Sequence, residues 1–523
     1  MMEKVSLAAI VTLARAGALA LAWRCFANSG YDYLDSAEAK AVKGRLLKDR
    51  AMQAIGENKK RLWLEAADAY TEAGAFEAST YSLINAATLS LLGQDEIRSR
   101  SLALEVFRLN ETRADEIETP YYRAATLAEA LLLLGRDEEA RATLAEAMDL
   151  APRAWEDHAS TLRQFGLILE AQNCNAAWLD AHRPPRSLHF GGHMSFDARA
   201  ERRTHVEDCI VEVLEEEKVG FGYGALAAGA DILVAEALLR CGSVLHAVLP
   251  GGPEAFAAVS VDPFGKAWRR RFDAVLERAE TVRVVRPFGA APDRATIALT
   301  DEIAMGAAVI NARRLESSAL QLLVLADEHQ AEEARGRWGT KGWRQRIVTA
   351  PRETGAGSEA EPAPLPAGRR RALALLALSP GEEKIEARLG KLKRALRKAG
   401  TPAIAPYFTG RQVVLAYAEP AEAARAAVSL AQTGEVAIGG HYGLAEPFED
   451  PFSGGCRVAG DAAALVEGAA ASAPPGSLCV TEDFAAALAA SGEKSLYSEL
   501  IGELEARDGS GPVELYGVKP RLN

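Results

Sequence analysis

Two glycine-bearing turns in the middle of the chain have the residue types and spacing to cradle a phosphate. The first, Phe190-Gly191-Gly192-His193-Met194, ends an apolar run. The second runs Gly222-Tyr223-Gly224-Ala225-Leu226-Ala227-Ala228-Gly229-Ala230-Asp231, closing one apolar run and opening an amphipathic stretch. Glycine at a strand end lets backbone N–H groups approach an anion, and the N-terminus of the following helix adds partial positive charge. Gly191, Gly192, Gly222, Gly224 and Gly229 are therefore the candidate nucleotide-binding glycines. Asp231 stands one turn into the helix, where a carboxylate repels phosphate and suits a ribose hydroxyl. His193 follows two glycines and reads either as a ligand contact or as a cap on its own turn. Glycines in such places also serve helix–sheet packing, so the turns alone do not decide the chemistry.

A parallel sheet would hold both turns on one edge. From 186 to about 350, short apolar runs alternate with amphipathic stretches. Ser187–Gly192, Val219–Leu226, Ser243–Leu249, Thr281–Val285 and Leu320–Ala326 read as strands, with helices such as Ala230–Arg240 and Lys266–Ala279 between them. That alternation implies a Rossmann-like α/β domain with helices on both faces of the sheet. The basic runs Trp268-Arg269-Arg270-Arg271 and Arg313-Arg314 read as solvated or interdomain helix faces.

Residues 1–182 are rich in Ala, Leu, Glu and Arg, with apolar residues at helical spacing throughout. Between Tyr122 and Pro152 stand Gly135, Ala140, Ala147 and Pro152. This stretch resembles a tetratricopeptide repeat, where small residues let two antiparallel helices approach and proline ends the second. The segment from Tyr81 to Gly93 resembles the TRAFs-binding type of helical repeat domain. The resemblance implies an all-α region with a concave surface for a protein partner; a helical scaffold packed on the rest of the chain is the alternative. The apolar run Val5–Phe26 carries Arg15 in its middle and Arg24 near its end. Charge at that depth is costly in lipid, so an amphipathic or buried helix is expected, with no membrane span. No clear signal-peptide cleavage site follows it.

Length and composition set the outer bounds. A chain of 523 residues needs more than one core, and 49% hydrophobic with 25% charged residues is ordinary for folded protein. A net charge of -12 argues against a broad phosphate-binding surface, and hence against nucleic acid as the main partner. Six cysteines, at 25, 174, 209, 241, 456 and 479, form no C-x-x-C pair, which fits reduced thiols in a cytoplasm and no metal site. Residues 351–371, PRETGAGSEAEPAPLPAGRRR, have the composition of a linker. The expected order is a helical repeat domain at 1–182, a Rossmann-like domain at 186–350, that linker, and an α+β domain at 372–520.

The middle domain carries a second resemblance. GYGALAAGADILVAEALLRCGSVLHAVLPGG is similar to the SLOG superfamily of Rossmann-like nucleotide-binding domains, which includes the DNA-processing protein A and LOG phosphoribohydrolase families. The likeness covers roughly 190–285. It implies a nucleotide or nucleotide-derived ligand held by the glycines named above. After Pro250-Gly251-Gly252 the chain reads Pro253-Glu254-Ala255, without the G-T-x-x-E that LOG hydrolases use, so ligand sensing is expected ahead of hydrolysis.

The final domain carries a third. Gly460–Gly476, GDAAALVEGAAASAPPG, resembles the class III nucleotide cyclase signature G-D-x-V-N-x-A-A-R-L-x-x-x-A-x-P-G without a gap. Val436-Ala437-Ile438-Gly439-Gly440-His441-Tyr442-Gly443 is similar to the family's I-G-x-H-x-G element. The resemblance implies a ferredoxin-like α+β domain, two metal-binding aspartates, and an Asn and Arg for the transition state. In this chain those four positions read Leu378, Arg411, Ala464 and Gly468. Leucine cannot hold magnesium and arginine repels it. The expectation is a pseudoenzyme whose frame serves dimerisation, as a homodimer or with a true cyclase, or coupling. Taken together, the sequence is read as a non-catalytic signalling protein with a nucleotide-type ligand and protein partners, and no assigned cofactor. An enzyme acting on a nucleotide in the SLOG-like domain and a pure interaction scaffold stand as alternatives.

Overall fold

A computed structural model describes residues 5–77, 79–112, 119–194, 200–286, 292–326, 338, 341–350, 370–380, 390, 392–393, 396, 400–409, 412–432, 436–505 and 512–521. The chain divides into two compact units, one through Pro184 and one from Pro185 to Arg521.

The first unit is helical: α1 (Leu7–Arg15), α2 (Leu19–Asn28), α3 (Ala37–Met52), α4 (Gly56–Glu77), α5 (Thr80–Leu92), α6 (Glu96–Thr112), α7 (Pro120–Leu133), α8 (Asp137–Leu150) and α9 (Trp155–Ala171). Starts are set by side-chain caps. Ser36, Ser79 and Thr119 each accept from the amide three residues on, and Pro120 fits the first turn of α7 because its missing N–H is not needed there. Ala140 and Ala147 of α8 are fully buried, which lets α7 and α8 pack closely. The expected single helix over Val5–Phe26 is two helices, broken where Gly17 takes a φ of 89°.

The second unit holds two sheets. The first is built from β1 (Arg186–Gly192), α10 (Ala200–Glu216), β2 (Val219–Gly224), α11 (Ala230–Arg240), β3 (Val244–Leu249), α12 (Pro253–Ser260), α13 (Lys266–Arg278), β4 (Thr281–Val284), α14 (Arg294–Arg314), β5 (Ala319–Leu325) and β6 (Arg344–Thr349). All six strands are parallel, in the order β4-β3-β2-β1-β5-β6. Order reverses between β1 and β5, the place where open parallel sheets leave a crevice at their carboxyl edge. Alternate residues of β1 face opposite ways. Leu188 and Phe190 join the core under α10, α11 and α13, while Ser187 and His189 face α14. The strand expected over Val219–Leu226 ends at Gly224, because the residues after it turn to make the entry to α11.

The second sheet comprises β7 (Arg371–Pro380), β8 (Ile404–Thr409), β9 (Gln412–Tyr417), β10 (Val436–Glu449), β11 (Cys456–Ala459), β12 (Leu478–Thr481), β13 (Leu496–Glu505) and β14 (Pro512–Pro520), with helices α15 (Pro420–Ala431), α16 (Asp461–Ser472) and α17 (Glu482–Ala490). It is mixed, in the order β13-β14-β12-β10-β7-β9-β8, and β11 pairs with β10 off that path. Residues Ala374, Leu376 and Leu378 of β7 enter a core with α15 and α17; Leu373, Leu375 and Ala377 enter a second core with α16.

Helix α14 joins the two sheets. Among the described residues it is the helix long and apolar enough to cross a bilayer, yet most of its apolar window is buried in the protein. Its N-terminus is capped by Asp293, whose Oδ1 accepts from the amide and hydroxyl of Thr296, each at 2.7 Å. One side packs on β1, β2, β3 and β5; Leu299, Ile303 and Ala304 belong to the core of the second sheet. At Gly306 the backbone of α17 comes so near that an added Cβ would lie 1.9 Å from the carbonyl oxygen of Ala486. Backbone cannot yield as a flexible side chain does. Gly306→Ala is therefore expected to destabilise the second unit by about 3 kcal/mol, the upper range for overpacking. Gly252→Ala, where nothing lies within 4 Å, serves as the control. Urea unfolding followed by tryptophan fluorescence checks this, and equal midpoints for the two variants would refute the tight seam.

Candidate functional site

The carboxyl edge of the parallel sheet brings the predicted glycines together. Gly191 and Gly192 end β1, opposite Leu323 and Val324 of β5. Gly222 and Gly224 lie in β2, and Gly229 caps α11 with a φ of 114°, a conformation glycine takes freely. Three of these glycines are places of close packing. An added Cβ would meet Val324 O at 2.3 Å from Gly192, Leu238 Cδ1 at 2.2 Å from Gly222 and Phe190 O at 2.7 Å from Gly224. Gly191 has room, with its nearest neighbour at 3.9 Å.

The amides of the two turns are largely engaged by the protein itself. His193 N–H donates to Val324 O (3.1 Å), Ala230 N–H to His193 O (3.2 Å) and Ala228 N–H to Ser260 O (2.9 Å). Ala227 N–H donates to Asp231 Oδ2 at 3.1 Å, and the Gly192 amide also bonds this carboxyl. Asp231 is thus the clasp between the two turns, placed 8% exposed at the start of α11. Burial, chiefly, pushes its carboxyl up to about 8, with Asp301 adding to the rise and the two amides opposing it. His193 is buried, its Nε2 2.8 Å from Ala350 O and its Nδ1 3.1 Å from Met194 O. The imidazole fastens the end of β1 to the chain after β6.

The edge also includes a third turn. Pro250-Gly251-Gly252 follows β3 and opens α12, with Gly252 as its cap. Gly251 faces Pro292, just before the start of α14. The positive ends of α12 and α14 therefore lie on the carboxyl edge near the strand-order reversal.

Beneath β1 runs a polar chain, buried at His189 and Gln321 and open to solvent at Asp301, that sequence reasoning did not find. His189 Nε2 lies 3.0 Å from Asp301 Oδ1 of α14, and its Nδ1 lies 3.0 Å from Gln321 Nε2. Gln345 Nε2 donates to Gln321 Oε1 at 2.6 Å, and Trp338 stacks on His189 with 6.2 Å between ring centroids. The next residue of α14, Glu302, accepts from the hydroxyl of Tyr442 in β10 at 3.0 Å. The available signal was the cap pair Asp293 and Thr296 ahead of an apolar run, which marks the start of α14.

The cyclase-like positions are dispersed. Leu378 is fully buried beside its ladder partners Ile438 and Val413. Ala464 is exposed on α16, and a Cβ at Gly468 would lie 3.0 Å from Leu504 Cδ2. Leu378 faces α15 and α17, whereas α16 packs on the opposite face of β7, so one chain does not bring these positions to one site. Arg411 lies outside the described residues. Gln412, next to it, donates from Nε2 to Ser379 Oγ (2.9 Å) and to Glu467 O (3.1 Å). Gly439 keeps a packing role, since an added Cβ would lie 2.1 Å from the amide nitrogen of Ala470 in α16. Among the described residues no group of three or more His, Cys, Asp and Glu is placed to hold a metal ion.

The basic runs are paired. Arg269 bonds Glu254 and Asp273, Arg271 bonds Glu236 and lies over the Trp268 ring, and Arg313 donates to Glu493 O.

The sequence matches no protein-family model and no curated protein. Solved structures similar to one stretch of it include an adenylate/guanylate cyclase/hydrolase from Silicibacter pomeroyi, 19% identical, covering 29% of this chain and 98% of that one with a TM-score of 0.25. An adenylate cyclase of Trypanosoma brucei in its monomeric state is 14% identical over 30% of this chain and 93% of its own, with a TM-score of 0.27. The adenylyl cyclase CyaB from P. aeruginosa is 16% identical over 29% and 94%, with a TM-score of 0.23. Values this low carry no ligand, residue role or activity to this chain.

Asp231 yields a pH test. A carboxyl held at about 8 in the fold and near 3.8 when unfolded keeps a proton that the unfolded chain releases. Its contribution therefore lowers stability as pH climbs from 4 to 8, by up to about 1.4 kcal/mol per unit. Asp231→Asn is expected to remove that slope, gaining on the wild type between pH 6 and pH 8.5 in urea midpoints. Parallel pH profiles for the two proteins would refute the buried clasp.

Proposed function

We propose that this protein is a non-catalytic regulator in which the Rossmann-like domain takes a nucleotide-type ligand and α14 passes its occupancy to the cyclase-like module. The helical unit holds a protein partner, and the cyclase-like module acts in coupling or dimerisation. The observation that carries this reading is the pair Asp301 and Glu302. One bonds His189, two residues before Gly191, and the other bonds Tyr442 of the second sheet. A shift of the β1 end thus acts on the helix whose next residue grips β10. A ligand changes that balance only if it binds the two arrangements with different affinity.

Lack of cyclase chemistry rests on residue types. Leu378, Ala464 and Gly468 offer no side-chain donor or metal ligand, and Leu378 is sealed in the core. The engaged amides of the first two turns narrow the phosphate contact to Gly191, the Pro250–Gly252 turn and the positive ends of α12 and α14. The same engagement favours a second reading, an interaction scaffold without a ligand.

A thermal-shift screen of the full chain with ATP, GTP, cyclic nucleotides and ADP-ribose separates the two. The regulator reading expects at least one of them to raise the melting temperature by several degrees without being consumed. No shift with any of them moves the conclusion to the scaffold. Formation of cyclic nucleotide from ATP or GTP with magnesium or manganese would overturn the non-catalytic assignment.

A further inference from the structure

Three helices of the first unit run side by side in one direction, and bonds between their side chains fix their level. Helix α6 turns back between α5 and α7, and Asn110 near its end donates from Nδ2 to the Arg123 carbonyl at the start of α7 at 3.0 Å. Helices α5 and α7 therefore run parallel. Thr88 of α5 donates to Glu129 Oε1 of α7 at 2.7 Å, and Gln164 Nε2 of α9 donates to the same oxygen at 3.1 Å. Seven residues nearer each helix start stand Tyr81, Tyr122 and Asp157. Seven residues make almost two full turns, so these three share the faces of the lower set, roughly 10 Å along the helices. The Tyr122 hydroxyl donates to Asp157 Oδ1 at 2.6 Å, so α7 and α9 keep their level at this upper tier.

The two tiers differ in their access to water. Thr88 and Glu129 are buried, whereas Tyr81 is 58% exposed, Tyr122 is 42% exposed and Asp157 is half-buried. Two phenol rings and a carboxylate thus share one open patch at the starts of α5, α7 and α9. Behind it the buried ring of Tyr121 meets Tyr122 edge-on, 5.3 Å between centroids, and its hydroxyl lies 2.9 Å from Thr161 Oγ1 of α9. The patch therefore rests on a fixed base. Its charge is negative. Glu156 and Asp157 both stand in the first turn of α9, and no described cation forms an ion pair with Asp157. Arg123 donates to the Asn110 carbonyl of α6, and Arg153, before α9, is one cation against two acids.

This chemistry selects its occupant. An acidic segment meets repulsion from Glu156 and Asp157. An apolar one strips water from Asp157 and gives it no partner. A guanidinium does neither, because it stacks flat on a phenol ring and donates to a carboxylate at its edge. We propose that Tyr81, Tyr122 and Asp157 dock a basic peptide segment, with an arginine of that segment lying over the rings and donating to Asp157. This rests on the reading that the helical unit holds a protein partner, and it gives that partner a charge and an anchor residue.

The test is fluorescence anisotropy of the full chain with a labelled, end-blocked octapeptide of alternating arginine and alanine, in salt of about 0.15 M to screen long-range attraction. Wild type is expected to bind. Asp157→Asn is expected to bind about tenfold more weakly, the size of one charge-assisted hydrogen bond. Tyr81→Ser, which removes an exposed ring, is expected to bind about threefold more weakly. Glu138→Gln removes an equal charge at the exposed start of α8, past the far end of α7, and is expected to match wild type. Thermal midpoints near that of wild type establish that each variant is folded, and Tyr81→Ser carries the test should Asp157→Asn fail to fold. Wild-type affinity in both Asp157→Asn and Tyr81→Ser overturns this site and leaves the partner-binding reading of the helical unit standing. An equal loss in Glu138→Gln shows general charge attraction and overturns it as well. Tighter binding of the matching glutamate–alanine peptide overturns the basic assignment while supporting a peptide-binding unit. Failure of wild type to bind the arginine peptide overturns the site outright.

Discussion

The second unit depends on the contact of α14 with α17. A helix with a glycine at its closest point lies against backbone, and no side chain separates the two axes at Gly306 and Ala486. Around this contact Arg283 of β4 reaches Glu482 and Asp483 at the start of α17, and burial pushes Glu482 up to about 7 against the pull of Arg283. Such a buried pair adds little stability of its own, yet losing one partner leaves an uncompensated charge, which costs about 3–5 kcal/mol. Close packing sets the distance between the domains and the ion pairs set their register. The cyclase-like module is therefore held as part of one body with the Rossmann-like domain.

That constraint explains why the functional readings concentrate on α14. The helix runs from the carboxyl edge of the parallel sheet to the opposite end of β1, where Asn311 donates to Ser187 at 3.0 Å. Along the way it touches the polar chain under β1 and the second sheet. The second sheet presents a broad apolar surface on each side of β7. One of them is engaged by α14, while α16 covers the other.

Much of the architecture was legible in the sequence. Short apolar runs gave five of the six strands of the parallel sheet within one or two residues, and Ala230–Arg240 to the residue, whereas β6, which opens on Arg344, Gln345 and Arg346, has no such run and was missed. The glycines stood out, but their uses did not. Gly222 and Gly224 admit Leu238 and a Phe190 carbonyl, contacts set by residues far along the chain. Asp231 looked like a ribose ligand because a carboxylate one turn into a helix has that spacing. Its pairing with Ala227 and Gly192 depends on two turns meeting in space. The seam at Gly306 was invisible for the same reason, since Ala486 is 180 residues away in sequence.

The central claim is that the two sheets form one cooperative body joined through α14. Native-state hydrogen exchange of the full chain across increasing urea tests it most directly. The account predicts that amides of β1, α14, β10 and α17 converge on one opening free energy with one urea dependence. An isotherm for β10 and α17 that stays well below that of β1 would show the cyclase-like module opening alone, and would contradict the account.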